Sequence, residues 1–160
     1  MQVHLLRHGT AEDIRAGGSD FERKLTPAGR EEVRRAIEMA HPAIAPTLIL
    51  SSPFARAVET AHIAAEVVGY TGNIVRTEAL EPNASPHLVW QEVRSRPDEL
   101  QILLAGHEPL LSQLTAYLLN CPTLHVDMRK ATLVRIDIDR FVGKPYGVLK
   151  WVLPPDFRAG

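Results

Sequence analysis

The sequence is poor in several features that would mark particular classes of protein. It has one cysteine, Cys121, so no internal disulfide can form and nothing points to an oxidising compartment. No apolar run approaches the roughly 18 residues that a membrane-spanning helix needs. The formal net charge is −1, and lysine and arginine form no dense run. These absences argue against nucleic acid and against a membrane as partners.

What is present is typical of an ordinary globular protein. The chain has 160 residues, of which 45% are hydrophobic and 23% charged, and this suits a single domain spanning residues 1–160. The first apolar stretch is too short for a signal peptide and lacks its cleavage site, so we expect a cytoplasmic location. No long amphipathic or apolar stretch calls for a second subunit, and we expect a monomer.

Short apolar runs alternate with helical patterns along the chain. Four runs each precede a helix, at residues 3–6, 47–50, 73–77 and 101–105. The predicted helices begin at Thr26-Pro27, at Ser51-Ser52-Pro53, at Ser85-Pro86 and after His107-Glu108-Pro109. Two further runs, 132–138 and 148–153, read as a hairpin joined through 141–147. The pattern predicts a three-layer α/β/α sandwich, with a mostly parallel sheet and an antiparallel edge.

Side chains suited to binding an anion follow the predicted parallel strands. Arg7 and His8 follow the first strand, Arg56 the second and His107 the fourth. Because ligands bind at the carboxyl ends of such strands, we expect these groups to meet at one edge of the sheet. Arginine forks match phosphate oxygens and stay charged at any working pH. The sequence therefore predicts a phosphate site, and it lacks the Gly-rich loop of P-loop nucleotide-binding proteins.

A histidine in such a site can act as a nucleophile. A neutral imidazole can attack phosphorus and form a phosphohistidine intermediate, which water then hydrolyses. The arginines and the second histidine would stabilise charge on the phosphoryl oxygens. This route needs no metal and no cofactor. The remaining histidines lack metal-ligand spacing, so we expect neither.

Three segments resemble the motifs of the histidine phosphatase superfamily, which has the phosphoglycerate mutase-like fold. They are RHG at residues 7–9, SSPFARAVETA at 51–61 and GH at 106–107. The chain is similar to the SixA-type phosphohistidine phosphatases in its MQV start, in RKLTPAG at 23–29 and in having no inserted cap domain. The resemblance implies that His8 is the nucleophile and that Arg7, Arg56 and His107 bind the phosphoryl group. It also implies an additional phosphate or substrate contact from Arg23.

One departure from the superfamily bears on the substrate. Many members place an acid after the third strand to protonate the leaving oxygen. Here Glu81 lies in that region, either as a proton donor or as an ordinary loop carboxylate. An imidazole leaving group can carry its own proton, whereas an ester oxygen needs the acid far more. The short loop therefore favours phosphohistidine on a protein, such as a His-containing phosphotransfer domain. The short loops at 9–25 and 82–85 also predict a mouth open to a folded protein.

Two alternative functions are compatible with the same fold. A small-molecule phosphomonoesterase would use every one of these residues. A non-catalytic phosphoprotein-binding module would have lost its nucleophile, and the presence of His8 argues against it. Among other residues, Glu108 is expected to be a surface acid in the first turn of a helix, and Trp90 and Trp151 are expected to anchor packing.

Overall fold

A computed structural model of the chain describes residues 1–141 and 143–156. Its strands are β1 (Gln2–Arg7), β2 (Leu48–Ser51), β3 (Ile74–Arg76), β4 (Gln101–Gly106), β5 (Leu133–Asp137) and β6 (Val148–Leu153). Its helices are α1 (Pro27–Ala40), α2 (Ala55–Val68), α3 (Pro86–Arg94) and α4 (Leu110–Leu118). Two of the sequence predictions reach beyond the described residues. Val142 of the hairpin connection and residues 157–160 of the predicted domain lie outside them.

The strands form one mixed sheet in the order β3-β2-β4-β1-β5-β6. β1 and β2 both run parallel to β4, and β3 runs parallel to β2. β5 is antiparallel to β1, and β6 is antiparallel to β5. The predicted parallel sheet with an antiparallel edge is confirmed.

Helices cover both faces of this sheet. Alternate residues of β1 enter two separate cores, with Val3 and Leu5 in one and Leu6 in the other. The first core is completed by apolar residues of α3 and α4, and the second by those of α1 and α2. Successive strand residues point to opposite faces, so apolar runs such as Val3–Leu6 can fill both cores at once. The three-layer α/β/α sandwich is confirmed.

Helix boundaries follow the capping residues in the sequence, with one exception. The Thr26 hydroxyl accepts a hydrogen bond from the Gly29 N–H and caps α1, as predicted. Gly69 ends α2 in the left-handed conformation at φ 67°. The prediction that α2 opens at Ser51-Ser52-Pro53 is wrong. Ser51 still belongs to β2, and α2 begins at Ala55. The Ser52 side chain is instead turned toward another strand end, as described below.

Both tryptophans anchor packing, as expected. Trp90 is fully buried, and its Nε1–H donates to the Gly143 carbonyl at 3.0 Å. Trp151 is half-buried against the core shared with α1 and α2. No helix in the described ranges is both long and apolar enough to cross a membrane.

His4 of β1 links the stability of the fold to pH. It is fully buried, with its ring centroid 5.8 Å from that of Trp151. Burial, aided by the positive charge of Arg135, lowers the pKa of His4 from 6.5 to about 4. The unfolded chain therefore binds this proton at a higher pH than the folded chain does. The contribution of His4 to the free energy of unfolding is fully present above about pH 6.5 and is lost as the pH falls toward 4.

We expect replacement of His4 by leucine to flatten this dependence. Urea unfolding measures the free energy of unfolding at pH 7 and at pH 5. In the wild type, His4 alone should make this free energy about 2 kcal/mol lower at pH 5 than at pH 7, and His4→Leu should remove that contribution. The exposed His125 provides the control, because His125→Leu should leave the difference between the two pH values unchanged. A His4→Leu variant with the wild-type difference would contradict the assignment.

Candidate active site

Strand register brings the two motif histidines to the same edge of the sheet. Arg7 pairs with Gly106 at the ends of β1 and β4, and the His8 N–H donates to the Gly106 carbonyl at 3.1 Å. On the other side of β4, the Ser52 N–H donates to the Ala105 carbonyl at 3.0 Å. The residues that follow three neighbouring strands therefore lie side by side. The ring centroids of His8 and His107 are 5.0 Å apart.

The His8 ring is held in one orientation. Its Nδ1 lies 2.7 Å from the Gly9 carbonyl oxygen, which can only accept a hydrogen bond, so Nδ1 carries the proton. Its Nε2 accepts a hydrogen bond from the Arg56 Nε–H at 3.3 Å. This is the tautomer in which the Nε2 lone pair is available for attack on an electrophile.

The surroundings of His8 keep it uncharged. Only 7% of the residue is exposed, and burial is the main cause that lowers its pKa from 6.5 to about 4. The hydrogen bond to the Gly9 carbonyl opposes this shift, while the charges of Arg56 and Arg7 reinforce it. The imidazole is therefore neutral throughout the physiological pH range.

Close backbone packing fixes the turn that carries His8. A Cβ atom at Gly9 would collide with the Gly29 carbonyl oxygen in the first turn of α1. A Cβ atom at Gly29 would collide with the Thr10 carbonyl oxygen in return. The Gly9 N–H donates to the buried Thr60 hydroxyl of α2 at 3.4 Å. Glycine at both positions lets the turn after β1 sit against α1.

Arg56 is the most heavily bonded side chain of the site. Besides its bond to His8, its Nη1 donates to the Asp20 carbonyl oxygen at 2.7 Å and its Nη2 to the Asp20 carboxylate at 3.0 Å. The guanidinium carbon lies 4.9 Å from the centre of the Phe54 ring. Arg23 joins the group through the other Asp20 oxygen, to which its Nη1 donates at 2.8 Å.

Sequence reasoning did not single out Asp20. It belongs to a short 3-10 turn, Asp20–Glu22, within the polar loop that follows the RHG motif. Partial burial raises the pKa of its carboxyl, but hydrogen bonds from Arg23 and Arg56 and their positive charges outweigh burial and hold the pKa below its usual value. An acid in a polar loop gives no pattern in the sequence that distinguishes it from a solvated one.

Arg7 and His107 complete the group, and each has an unused buried nitrogen. The Arg7 Nη1 donates to the Met128 carbonyl at 2.6 Å, and the His107 Nε2 lies 2.8 Å from the Ser52 hydroxyl. The Arg7 Nε and the His107 Nδ1 have no hydrogen-bond partner among the described residues. Burial lowers the pKa of His107 to about 2, and the positive charges of His8, which is protonated below about pH 4, and of Arg56 act in the same direction. Such unpaired buried polar atoms are costly unless a ligand supplies the partner.

Neither candidate acid is hydrogen-bonded to the two histidines in the described structure. Burial lowers the pKa of Arg7, however, and the negative charge of Glu108 opposes that shift. Glu81 ends a 3-10 turn, Glu78–Leu80, and lines a groove with Arg76 and Glu92. No hydrogen bond or ion pair within residues 1–141 and 143–156 connects it to the two histidines. The Glu108 carboxylate accepts a hydrogen bond from the Ser112 N–H at 2.9 Å and so caps the first turn of α4. The expected surface acid in the first turn is therefore only partly right, because Glu108 lies two residues before α4 and is half-buried.

The mouth of the site is less open than the short loops predict. His8, Arg56 and His107 expose 7%, 5% and 1% of their surfaces. The loop after β1 folds back so that Phe21 packs against Phe54, with ring centroids 4.9 Å apart and the rings tilted by 53°. Loop length alone did not indicate where the loop lies. In the part of the chain that is described, no three His, Cys, Asp or Glu side chains are arranged to hold a metal ion.

Comparison with known proteins agrees with this geometry. A sequence model of the histidine phosphatase superfamily (branch 1) matches residues 3–81. A search of curated protein sequences returns no match. Among solved structures, the protein histidine phosphatase SixA complexed with tungstate is similar at 26% identity and a TM-score of 0.86, with 97% of each chain covered.

Two other structures share the fold at lower identity. A mutant phosphoserine phosphatase from Entamoeba histolytica in complex with phosphoserine is 14% identical, with a TM-score of 0.73 over 97% of this chain and 98% of the other. A mycobacterial glucosyl-3-phosphoglycerate phosphatase is 20% identical, with a TM-score of 0.69 over 93% and 96%. The motifs, the sheet order and these matches agree: residues 3–81 match the histidine phosphatase superfamily, and the fold of the chain is phosphoglycerate mutase-like.

Proposed function

We propose that the protein is a phosphatase that removes the phosphoryl group from phosphohistidine on a protein, through a phosphohistidine intermediate at His8. The observation that carries this proposal is the state of the His8 ring. Its Nε2 lone pair lies against the Arg56 guanidinium, and its pKa is lowered to about 4. A neutral imidazole beside fixed cations is suited to attack a phosphoryl group that those cations bind.

The reaction follows in two displacements. The Nε2 lone pair of His8 attacks phosphorus, and the bond from phosphorus to the substrate nitrogen breaks with its electron pair going to that nitrogen. The other ring nitrogen of the substrate histidine carries a proton, so the leaving group is a neutral imidazole. Water then attacks the phosphoryl group on His8, which releases inorganic phosphate and restores the lone pair. The Nδ1–H stays on the ring in both steps, where the Gly9 carbonyl oxygen stabilises the positive charge that phosphorylation places on the imidazole.

The neighbouring groups stabilise the phosphoryl oxygens. Arg56 and Arg7 supply positive charge, and His107, which is neutral, supplies a hydrogen bond. If the Ser52 hydroxyl donates to the His107 Nε2, the His107 Nδ1 carries the proton, and it and the Arg7 Nε–H are the unpartnered donors that a phosphoryl group would satisfy. We propose Arg23 as a further contact, since it already approaches Arg56 through the shared Asp20 carboxylate.

The preference for phosphohistidine rests on the acids of the described site, because none of them is placed to donate a proton. The Asp20 carboxylate is paired with Arg23 and Arg56, which outweigh burial and hold its pKa below the usual value, so it is ionised. Glu81 and Glu108 make no hydrogen bond to either histidine within the described residues, and Glu108 accepts from the Ser112 N–H instead. A departing imidazole is a stable neutral molecule, whereas a departing alkoxide needs a proton from a nearby acid. The likeness to a protein histidine phosphatase at 26% identity supports the same preference.

A small-molecule phosphomonoesterase is the second candidate. The burial of His8 favours it, because a mouth this narrow suits a small ester better than a folded protein. Structures that share the fold include phosphatases for phosphoserine and for a phosphorylated sugar acid. A non-catalytic phosphoprotein-binding module is the least favoured, because it would have no use for a neutral nucleophile at His8.

Several further features belong to the same proposal. We propose that the reaction needs no metal, that residues 1–160 act as one domain and that the protein works as a cytoplasmic monomer. The proposed partner is a phosphohistidine protein such as a His-containing phosphotransfer domain. A site of two arginines and two histidines already supplies the charge that a metal would otherwise bring.

Removal of the nucleophile should abolish turnover. We expect His8→Ala to lower kcat by at least about a thousandfold, since the covalent route is lost while phosphate binding is kept. Hydrolysis of a phosphohistidine protein and of a panel of phosphomonoesters, both with a chelator present, measures this. The exposed His41 is the control, and His41→Ala should behave as wild type. A His8→Ala enzyme that still turns over would remove the nucleophile assignment.

The role of Glu81 separates the two candidate functions. If phosphohistidine is the substrate, Glu81→Gln should change kcat/KM for the phosphohistidine protein by less than about twofold, because no acid is required. The wild type should also prefer that protein to every ester in the panel. A preference for esters, together with a loss of about a hundredfold in Glu81→Gln, would make this a metabolite phosphatase with Glu81 as the acid.

The ionisation of His8 can be observed directly. The ¹⁵N NMR shifts of a histidine-labelled sample should show the Nδ1–H tautomer from pH 8 down to about pH 5, with protonation only near pH 4. The exposed His125 gives a reference signal in the same spectrum. Protonation of His8 near pH 6.5 would show that burial and the two arginines do not keep it neutral.

A further inference from the structure

Asp20 holds the position that an anionic ligand of Arg56 would take. One carboxylate oxygen accepts from the Arg56 Nη2 at 3.0 Å, and the other accepts from the Arg23 Nη1 at 2.8 Å. The carboxylate thus bridges two guanidinium groups with one oxygen on each. Two oxygens of a phosphoryl group present the same arrangement, because arginine forks bind carboxylate and phosphate in similar geometry.

The two partners of this ion pair are unequally fixed. The Arg56 side chain is 6% exposed and is held by His8, by Phe54 and by the Asp20 backbone carbonyl. The Asp20 side chain is 44% exposed, and its hydrogen bonds and ion pairs in the described structure are those to the two arginines. Rotation about its Cα–Cβ bond would carry the carboxylate into solvent while the backbone contact to Arg56 stays. Asp20 is therefore the partner that can leave.

A phosphoryl group can form more interactions at this position than the Asp20 carboxylate can. It carries close to two negative charges at neutral pH and three terminal oxygens. Beyond Arg56 and Arg23, it would supply partners for the buried Arg7 Nε and His107 Nδ1, which the Asp20 carboxylate does not reach. An exchange of one anion for the other also avoids leaving the Arg56 guanidinium buried and unpaired, which is costly.

We infer that the Asp20 carboxylate occupies an oxyanion position of the phosphoryl site and that the substrate's phosphoryl group displaces it. This inference rests on the proposed function, because it concerns the same site. Asp20 thereby acts as an internal competitor, and it lowers the apparent affinity for every anion by the fraction of time for which it stays bound. It also keeps Arg56 and Arg23 aimed at one point while the site is empty.

Direct binding of inorganic phosphate tests the inference. We expect Asp20→Asn and Asp20→Ala to bind phosphate about fivefold more tightly than the wild type by isothermal titration calorimetry at pH 8 and low salt. Glu22→Gln is the matched control. It removes the same charge from the same turn, but the Glu22 carboxylate accepts from the Ser19 hydroxyl rather than from an arginine. It should bind phosphate as the wild type does.

Three results would overturn the inference. Unchanged or weaker phosphate binding in the Asp20 variants would mean that Asp20 only positions the arginines. Equal tightening in Glu22→Gln would mean that loss of any negative charge from the turn has the same effect. Absence of phosphate binding in all variants would overturn both the inference and the proposed function. If phosphate binding tightens as expected but the wild type hydrolyses no substrate, the displacement stands and the proposed function falls.

Discussion

The parallel hydrogen-bond ladder between β1 and β4 is the constraint on which the site depends. It pairs Arg7 with Gly106, so that the residues immediately after these strands, His8 and His107, emerge at the same level. A shift of one residue in this register would turn the alternating side chains of β1 to the opposite faces of the sheet. The two cores prevent that shift, because Val3 and Leu5 fill one and Leu6 fills the other.

Burial at this edge of the sheet gives the histidines their chemistry. Desolvation lowers the pKa of both, and the nearby guanidinium charges act in the same direction. The arginines thus have two effects: they keep His8 neutral in the resting enzyme, and they are placed to bind the negative charge of a phosphoryl group. The Asp20 carboxylate balances part of this positive charge while no substrate is bound. The site is therefore assembled from opposed charges rather than from positive charges alone.

The fold could be predicted from the sequence to a large extent, because its signals are local. Capping residues marked the start of α1 at Thr26 and the end of α2 at Gly69, and apolar runs marked the buried strands. The start of α2 was missed because Ser52 reads as a helix cap, whereas its hydroxyl contacts His107, 55 residues further along the chain. Such a contact depends on which strands become neighbours, and the local sequence does not record that.

The positions of site residues at the ends of strands could be predicted from the sequence. The position of a site residue in a loop could not. Arg7 ends β1, and His8 and His107 directly follow β1 and β4, so the strand pattern placed all three. Asp20 lies in a loop whose path is set by tertiary contacts such as the packing of Phe21 against Phe54. The same loop explains why short connections did not produce the open mouth that was expected. Whether Glu81 can reach the site as a proton donor depends on its position along the loop to within a few residues. The sequence does not show where the loop places it.

The central claim is that the phosphoryl group is transferred from the substrate to the Nε2 of His8, where it forms a covalent phosphohistidine intermediate. The most direct measurement is a rapid-quench experiment, in which the enzyme is mixed with excess phosphohistidine protein and quenched in alkali, where phosphohistidine survives. Mass spectrometry then locates the modified residue. The account predicts phosphorylation of His8 in the first turnover, decaying as inorganic phosphate appears. Turnover without any phosphoenzyme, or with the phosphoryl group on another residue, would contradict it.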